Sequence, residues 1–179
     1  MRLTQIQAAD EDRIKRLYYD AFPADERAPF RMLKSRAKRG RADFLSLYNN
    51  DEWVGLTYIV THEDLAYIFY LAVDNEQRGK HYGTQAILAI IERYKGKRVF
   101  LALEDWNEEC DNKQQRIKRH NFYKNCGLSD LPYKLKEADV VYSIMGVGGK
   151  VEPEEYKRLI NRYLGWPMKH LIDMRIIKK

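Results

Sequence analysis

The stretch Leu71–Ile87, LAVDNEQRGKHYGTQAI, constrains this chain most, because it joins an apolar strand to an amphipathic helix through a basic turn. The residues Tyr67-Ile68-Phe69-Tyr70-Leu71-Ala72-Val73 suit a buried, pleated surface. After the turn, Ala86, Ile87, Ile90 and Ile91 recur at three-and-four spacing, which gathers them on one helical face. Between the two elements lies Gln77-Arg78-Gly79-Lys80-His81-Tyr82-Gly83. Gly79 and Gly83 let backbone approach a ligand closely, and the first turn of a helix leaves N–H groups without intrahelical partners. Flanked by Arg78 and Lys80, such a helix start is an anion site suited to phosphate. Strand–turn–helix with two glycines also occurs as plain architecture, so a second signal is needed.

That signal lies about forty residues on, in Arg119-His120-Asn121-Phe122-Tyr123-Lys124-Asn125-Cys126-Gly127-Leu128. It reads as a helix end closed by Gly127 where a left-handed residue is wanted. A glycine-punctuated turn after a long strand, followed by FYxxxGL at a later helix end, resembles the GCN5-related N-acetyltransferase superfamily. The resemblance spans roughly residues 1–146. It implies a central, mostly antiparallel sheet flanked by helices, with acetyl-CoA as co-substrate and no metal. It further implies that Arg78, Gly79, Lys80, His81, Tyr82, Gly83 and Thr84 cradle the pyrophosphate, and that Tyr123 stands beside the thioester sulfur as general acid. Backbone near Leu71, Ala72 and Val73 would polarise the thioester carbonyl. One residue departs from the pattern: His81 stands where the family mostly has glycine, so its side chain must point away from the phosphates.

Acetyl transfer to an amine needs a group that takes a proton from the acceptor and a group that protonates the leaving thiolate. Tyr123 suits the second task, against the plainer reading of a tyrosine packed at a helix end. For the first, Glu104 follows Val99-Phe100-Leu101-Ala102-Leu103, where a charge appears at a strand end. A solvated carboxylate or a relaying water answers equally well. Asp74, at the end of the preceding strand, reads as a cap on the phosphate turn. The link Phe22–Pro29 and the region Leu131–Asp139 are where the resemblance places the acceptor pocket. There Glu26, with Asp25, would draw a cationic amine, whereas Arg27 would hold a carboxylate. The acceptor class, a small molecule or a peptide, stays open between the two.

The rest of the chain reads as a mixed α/β domain. Arg2–Gln7 forms a first strand, and Asp10 caps a helix whose apolar face is Ile14, Leu17, Tyr18, Ala21 and Phe22. A basic helical stretch, Arg31–Arg41, precedes strands Phe44–Tyr48 and Trp53–Val60, joined by a tight turn. Strand Arg98–Leu103, helix Cys110–Asn125 and a hairpin of Lys134–Lys136 with Val140–Met145 follow. Residues 147–179 read as a helical extension starting at Pro153 and stopped by Gly165. Its apolar residues would be covered by the domain itself or by a second copy in a homodimer.

Composition closes off other classes. Hydrophobic residues at 45% and charged residues at 32% fit a folded domain rather than a disordered one. No apolar run reaches the roughly 20 residues needed to cross a bilayer, and no charged-then-apolar leader is seen. Two cysteines, Cys110 and Cys126, offer no disulfide framework and suit a reducing cytoplasm. His62, His81, His120 and His170 show no metal spacing. Cys126 as an acyl-carrying nucleophile has no histidine partner in sequence. The net charge of +6 and the basic stretch Arg31–Arg41 are met by a solvated helix face more simply than by nucleic acid. The competing functional reading is a domain of the same fold that binds CoA or a protein partner without catalysis.

Overall fold

A computed structural model describes residues 1–137, 139–165 and 174–178. The chain divides into two compact units, Met1–Thr61 with Ile68–Lys95, and His62–Tyr67 with Gly96–Lys179. The sequence positions of Trp166, His170, Leu171 and Ile172 lie outside the described residues.

In the first unit, β1 (Arg2–Gln5), β2 (Ala42–Asn49), β3 (Glu52–His62) and the greater part of β4 (Leu65–Val73) stand side by side in that order. β1 and β2 are antiparallel, with Arg2 opposite Tyr48, and β2 and β3 likewise, with Ala42 opposite Val60. Three helices belong to this unit: α1 (Glu11–Ala21), α2 (Phe30–Lys38) and α3 (Tyr82–Arg93). Of the predicted stripes, Ile14, Leu17 and Tyr18 are buried on α1 and Ala86, Ile87 and Ile90 on α3, while Ala21, Phe22 and Ile91 are only half-buried; α2 buries Phe30 and Leu33. The core is strongly aromatic. Tyr18 meets Tyr70 edge-on with centroids 5.1 Å apart, and Phe44 meets Tyr58 at 5.1 Å.

Asp10 does not cap α1. It ends a short 3₁₀ turn, Ala8–Asp10, with helical backbone (φ −92°, ψ −13°), whereas an N-cap needs an extended residue to aim its oxygen at the helix amides. Its side chain is buried instead. Tyr48 Oη lies 2.8 Å from both carboxylate oxygens, Ser46 Oγ donates to Oδ2 at 3.0 Å, and Arg13 forms an ion pair. Burial alone would raise the Asp10 carboxyl, but the hydrogen bonds from Tyr48, Arg13 and Ser46 outweigh it and hold the pKa below the ordinary value.

The second unit carries β5 (Arg98–Glu104), α4 (Lys113–Asn125), β6 (Ser129–Glu137), β7 (Val140–Val147), α5 (Pro153–Leu164) and β8 (Met174–Lys178). The first residues of β4 pair with β5 in parallel, Leu65 opposite Arg98 and Tyr67 opposite Phe100. From there the order is β5, β7, β6, β8, each described pair antiparallel. β6 is longer than its sequence suggests, because Pro132 interrupts the pattern. The register slips between Asp130 and Lys134, where the proline has no N–H to give the ladder. α4 starts at Lys113 rather than Cys110, after a loop in which Lys113 N already bonds Cys110 O at 3.1 Å. Beyond residue 147, α5 opens with a capping box of Glu152 and Glu155 behind Pro153. It buries Tyr156, Leu159, Ile160, Tyr163 and Leu164. The extension also contains strand β8, which five residues of sequence are too few to mark by periodicity. Arg98 braces this unit, bonding Glu155 at 2.7 and 2.8 Å and Asp64 at 2.7 and 2.8 Å.

Two tests follow from these contacts. At Gly55, an added Cβ would stand 2.2 Å from the carbonyl oxygen of Ala72, so Gly55→Ala should lower stability by about 2–3 kcal/mol in chemical denaturation. The depressed pKa of Asp10 adds stability that is fully present above its unfolded value near 3.8 and lost as pH falls through the lower folded value. Asp10→Asn should therefore be less stable at neutral pH, and its stability should fall less steeply than that of the parent between about pH 5 and pH 2.

Candidate active site

The basic turn is built from the end of β4 outward. Asp74 accepts a hydrogen bond from Glu76 N at 3.0 Å, capping the 3₁₀ turn Asn75–Gln77. Two left-handed residues follow, Gly79 at φ +80° and His81 at φ +58°. These reverse the chain so that α3 starts at Tyr82. The first backbone N–H of that turn to find a carbonyl is Gln85, which bonds His81 O at 3.1 Å. Among the described residues, the amides of Gly79, Lys80, His81, Tyr82, Gly83 and Thr84 have no backbone acceptor. Gly83 itself lies in the helix with an ordinary φ, so its value is the bare face it gives the first turn.

The turn is fixed from beneath. Tyr82 is buried among Leu47, Val54 and Ala86, with Leu71 and Val73 packed against them, and its hydroxyl accepts from Asn49 Nδ2 at 3.2 Å. Lys80 Nζ donates to Gln77 Oε1 at 2.8 Å, and Gln77 Nε2 donates to Glu52 at 2.5 Å. Arg78, Gly79, Lys80 and His81 are exposed. Ala72 is buried and touched closely by Gly55 from β3, while Thr57 Oγ1 donates to Tyr70 O at 2.9 Å. The structure therefore brings Leu71–Val73 and Arg78–Thr84 into one strand–turn–helix corner within the first unit.

The link between α1 and α2 is held by two phenols. Tyr70 Oη donates to Glu26 O at 2.8 Å and accepts from Ala28 N at 3.0 Å, and Tyr18 Oη donates to Ala28 O at 2.8 Å. Arg27 donates to Tyr19 O at 3.0 Å and lies over the Tyr19 ring at 4.9 Å. Burial raises the Tyr70 phenol, opposed by its bonds to Tyr18 and Ala28.

The second unit carries the other two predicted residues. α4 ends in a Schellman motif. Leu128 N bonds Tyr123 O at 3.2 Å, Gly127 N bonds Lys124 O at 3.0 Å, and Gly127 takes φ +92°. The Tyr123 side chain is half-buried, and no hydrogen bond reaches its hydroxyl among the described residues. Burial raises its pKa and Cys126 adds to the rise, against a lowering by Arg119, so the phenol keeps its proton at neutral pH. Glu104 ends β5 half-buried and paired. Arg116 donates to its Oε1 at 2.6 Å, and Arg119 stands 3.7 Å from Oε2.

Sequence reasoning missed the groups around Glu104. Arg116 also donates to Asp105 O at 3.3 Å, and buried Asp105 is paired with Lys134 and accepts from Ser143 Oγ at 2.7 Å. Burial would raise Asp105, but these partners pull its pKa below the ordinary value. His120, also buried, lies 2.9 Å from Asp130 and 4.7 Å from the Trp106 ring. The signal available was the run of cations spaced three and four apart on α4, after an acidic strand end.

A model of the acetyltransferase (GNAT) family matches residues 11–128, and the chain belongs to that family. No curated protein matches the sequence significantly. Among solved structures, a protein from Bacteroides thetaiotaomicron assigned to the GNAT family is 20% identical with a TM-score of 0.69, over 92% of this chain and 96% of that one. A Bacillus subtilis acetyltransferase in complex with CoA is 16% identical, TM-score 0.57, over 81% and 95% of the two chains. A variant of a Vibrio cholerae spermidine N-acetyltransferase is 13% identical, TM-score 0.63, over 82% and 94%. At these identities the likeness carries the fold. Among the described residues, no helix is long and apolar enough to cross a membrane.

His81 in a left-handed conformation costs about 1–2 kcal/mol, and glycine there would forfeit about 0.5–1 kcal/mol to unfolded-chain entropy. His81→Gly should thus raise stability by about 0.5–1 kcal/mol in thermal or denaturant unfolding.

Proposed function

We propose that this protein moves an acetyl group from acetyl-CoA to a primary amine by direct attack in a ternary complex. The observation that carries the reading is the run of amides from Gly79 to Thr84 at the start of α3, with Arg78 and Lys80 beside it. Unpaired N–H groups at a helix start, with the positive end of the helix dipole, suit a pyrophosphate. The Bacillus subtilis structure of this fold holds CoA, which supports the choice of donor.

In the reaction the free amine attacks the thioester carbonyl, the C–S bond breaks, and the thiolate leaves with a proton. Tyr123 is the proposed source of that proton, because its phenol is protonated and has no protein acceptor among the described residues. Backbone N–H groups of Leu71–Val73 are the proposed partners of the carbonyl oxygen. Glu104 is the proposed base. Its Oε1 is occupied by Arg116, so the amine, or a water bound to it, would be met at Oε2, where Arg119 is more distant. Glu26 and Arg27 are proposed to border the acceptor, on a link whose backbone Tyr70 and Tyr18 hold in shape.

Calorimetric titration with acetyl-CoA tests the donor site. Micromolar binding should be seen and should be lost in Gly83→Glu, which puts a carboxylate into the first turn of α3. Absence of binding by the intact chain would overturn the reading. Tyr123→Phe should lower kcat by about a hundredfold or more while the Kd for acetyl-CoA is unchanged. Tight CoA binding with no turnover on any amine would instead favour a binding module without catalysis.

A further inference from the structure

The first unit holds a groove of about 530 Å³ between α1 and α2, whose helix residues no part of the acetyl-transfer scheme uses. Its α1 wall is Glu11, Lys15 and Tyr19, one residue per helical turn, and its α2 wall includes Phe30, Arg31 and Lys34. Three of these are cations and one is an acid. The acid is already answered, because Lys34 Nζ bonds both Glu11 oxygens at 2.6 Å. Lys15 and Arg31 have no carboxylate partner among the described residues. The groove therefore keeps a local excess of positive charge.

Its aromatic side has the same bias. Tyr19 is 43% exposed, unusual for a large ring, and the guanidinium of Arg27 lies 4.9 Å from its centroid while donating to its carbonyl. Phe30 is buried beneath. A polyamine entering here would meet cations with no free carboxylate among the lining residues. A ligand with an apolar body and an anionic end would place that end against Lys15 and Arg31 and its body against Tyr19. The groove adjoins Pro29, the last residue of the link that borders the proposed acceptor.

From this we infer that the acceptor is an amine that also carries a carboxylate, the chemistry of amino acids and peptide ends, and that Lys15 and Arg31 recognise the carboxylate. The inference rests on the acetyl-transfer reading above and decides between its two opposite acceptor classes. It makes Lys15 and Arg31 specificity residues. Two charge-assisted contacts made by one member of an otherwise matched pair should separate the two members at least about tenfold.

The test uses matched amines, phenylalanine against phenylethylamine and glutamate against 4-aminobutyrate, with spermidine as the polycation. Two readouts are taken on the full chain: thiol release from acetyl-CoA, and calorimetric binding of each amine to protein saturated with CoA, where no acetyl can move. Phenylalanine and glutamate should each exceed the partner lacking the α-carboxylate at least about tenfold in kcat/KM or affinity. Lys15→Gln with Arg31→Gln should collapse that ratio towards one while leaving the Kd for acetyl-CoA unchanged, which also shows that the variant is folded. Equal or weaker binding of the α-carboxylates, preference for spermidine, or a ratio unmoved by the double variant would overturn the inference. Failure of acetyl-CoA to bind would overturn the acetyl-transfer reading itself. Binding preference without turnover would sustain the carboxylate site and remove the catalysis.

Discussion

Two left-handed residues set the path of the chain between β4 and α3. With Gly79 at φ +80° and His81 at φ +58°, the chain leaves β4 and enters α3 through a reversal that directs consecutive amides away from any backbone acceptor. The neighbouring contacts keep that reversal in place. Asp74 closes the turn before it, and Tyr82 locks the residue after it by sinking into the Leu47–Val54–Ala86 cluster. The unpaired amides can be left without backbone partners because the turn lies at the surface, where water meets them. A non-glycine residue at such a φ is held by its surroundings rather than by its own preference, as strained positions in functional turns generally are.

Each unit has its own polar clasp. In the first, phenol hydroxyls grip backbone: Tyr70 and Tyr18 take the carbonyls and the amide of Glu26 and Ala28. In the second, guanidinium groups grip carboxylates. Arg98 binds Asp64 and Glu155, and Arg116 binds Glu104 at the end of β5. The two solutions differ in what they tolerate. Ion pairs at partly open positions weaken with salt, whereas phenol–carbonyl bonds inside an aromatic core are screened little. Acid acts on them differently too. Asp64 and Glu155 both hold depressed pKa values through Arg98, so protonation loosens the second clasp and leaves the first untouched.

Much of the fold was legible because the decisive features are local. The β4–turn–α3 corner, the Gly127 helix end and the Pro153 helix start each depend on residues within a few positions of one another, and each formed close to where its residues indicated. What escaped was set by distant partners. Asp10 has the side chain of a cap, yet Ser46 and Tyr48 on β2 claim it. The strand read at Lys134–Lys136 extends back to Ser129, because β6 absorbs Pro132 as a slip in register. At the candidate site, Arg78–Thr84 form one contiguous segment, so their shared turn could be read in order. The partners of Glu104 come from α4, and a strand end does not announce which helix cations will reach it. The place of Tyr123 near the Gly127 helix end was legible, but its lack of a hydroxyl partner among the described residues emerges only from three-dimensional packing.

The clasp on the α1–α2 link has a consequence for how such a protein can change. The hydrogen bonds of Tyr70 and Tyr18 to Glu26 and Ala28 are all to main-chain atoms. Every residue has a carbonyl and all but proline have an amide, so the shape of the link is indifferent to most of the side chains it displays. Replacing those side chains alters what the link presents to an incoming molecule without releasing the link from the core. Conformation and recognition are thereby inherited separately, and drift in one leaves the other standing. Substitutions on the link can change its displayed chemistry one residue at a time, with Tyr70 and Tyr18 as the fixed points that keep its backbone in place.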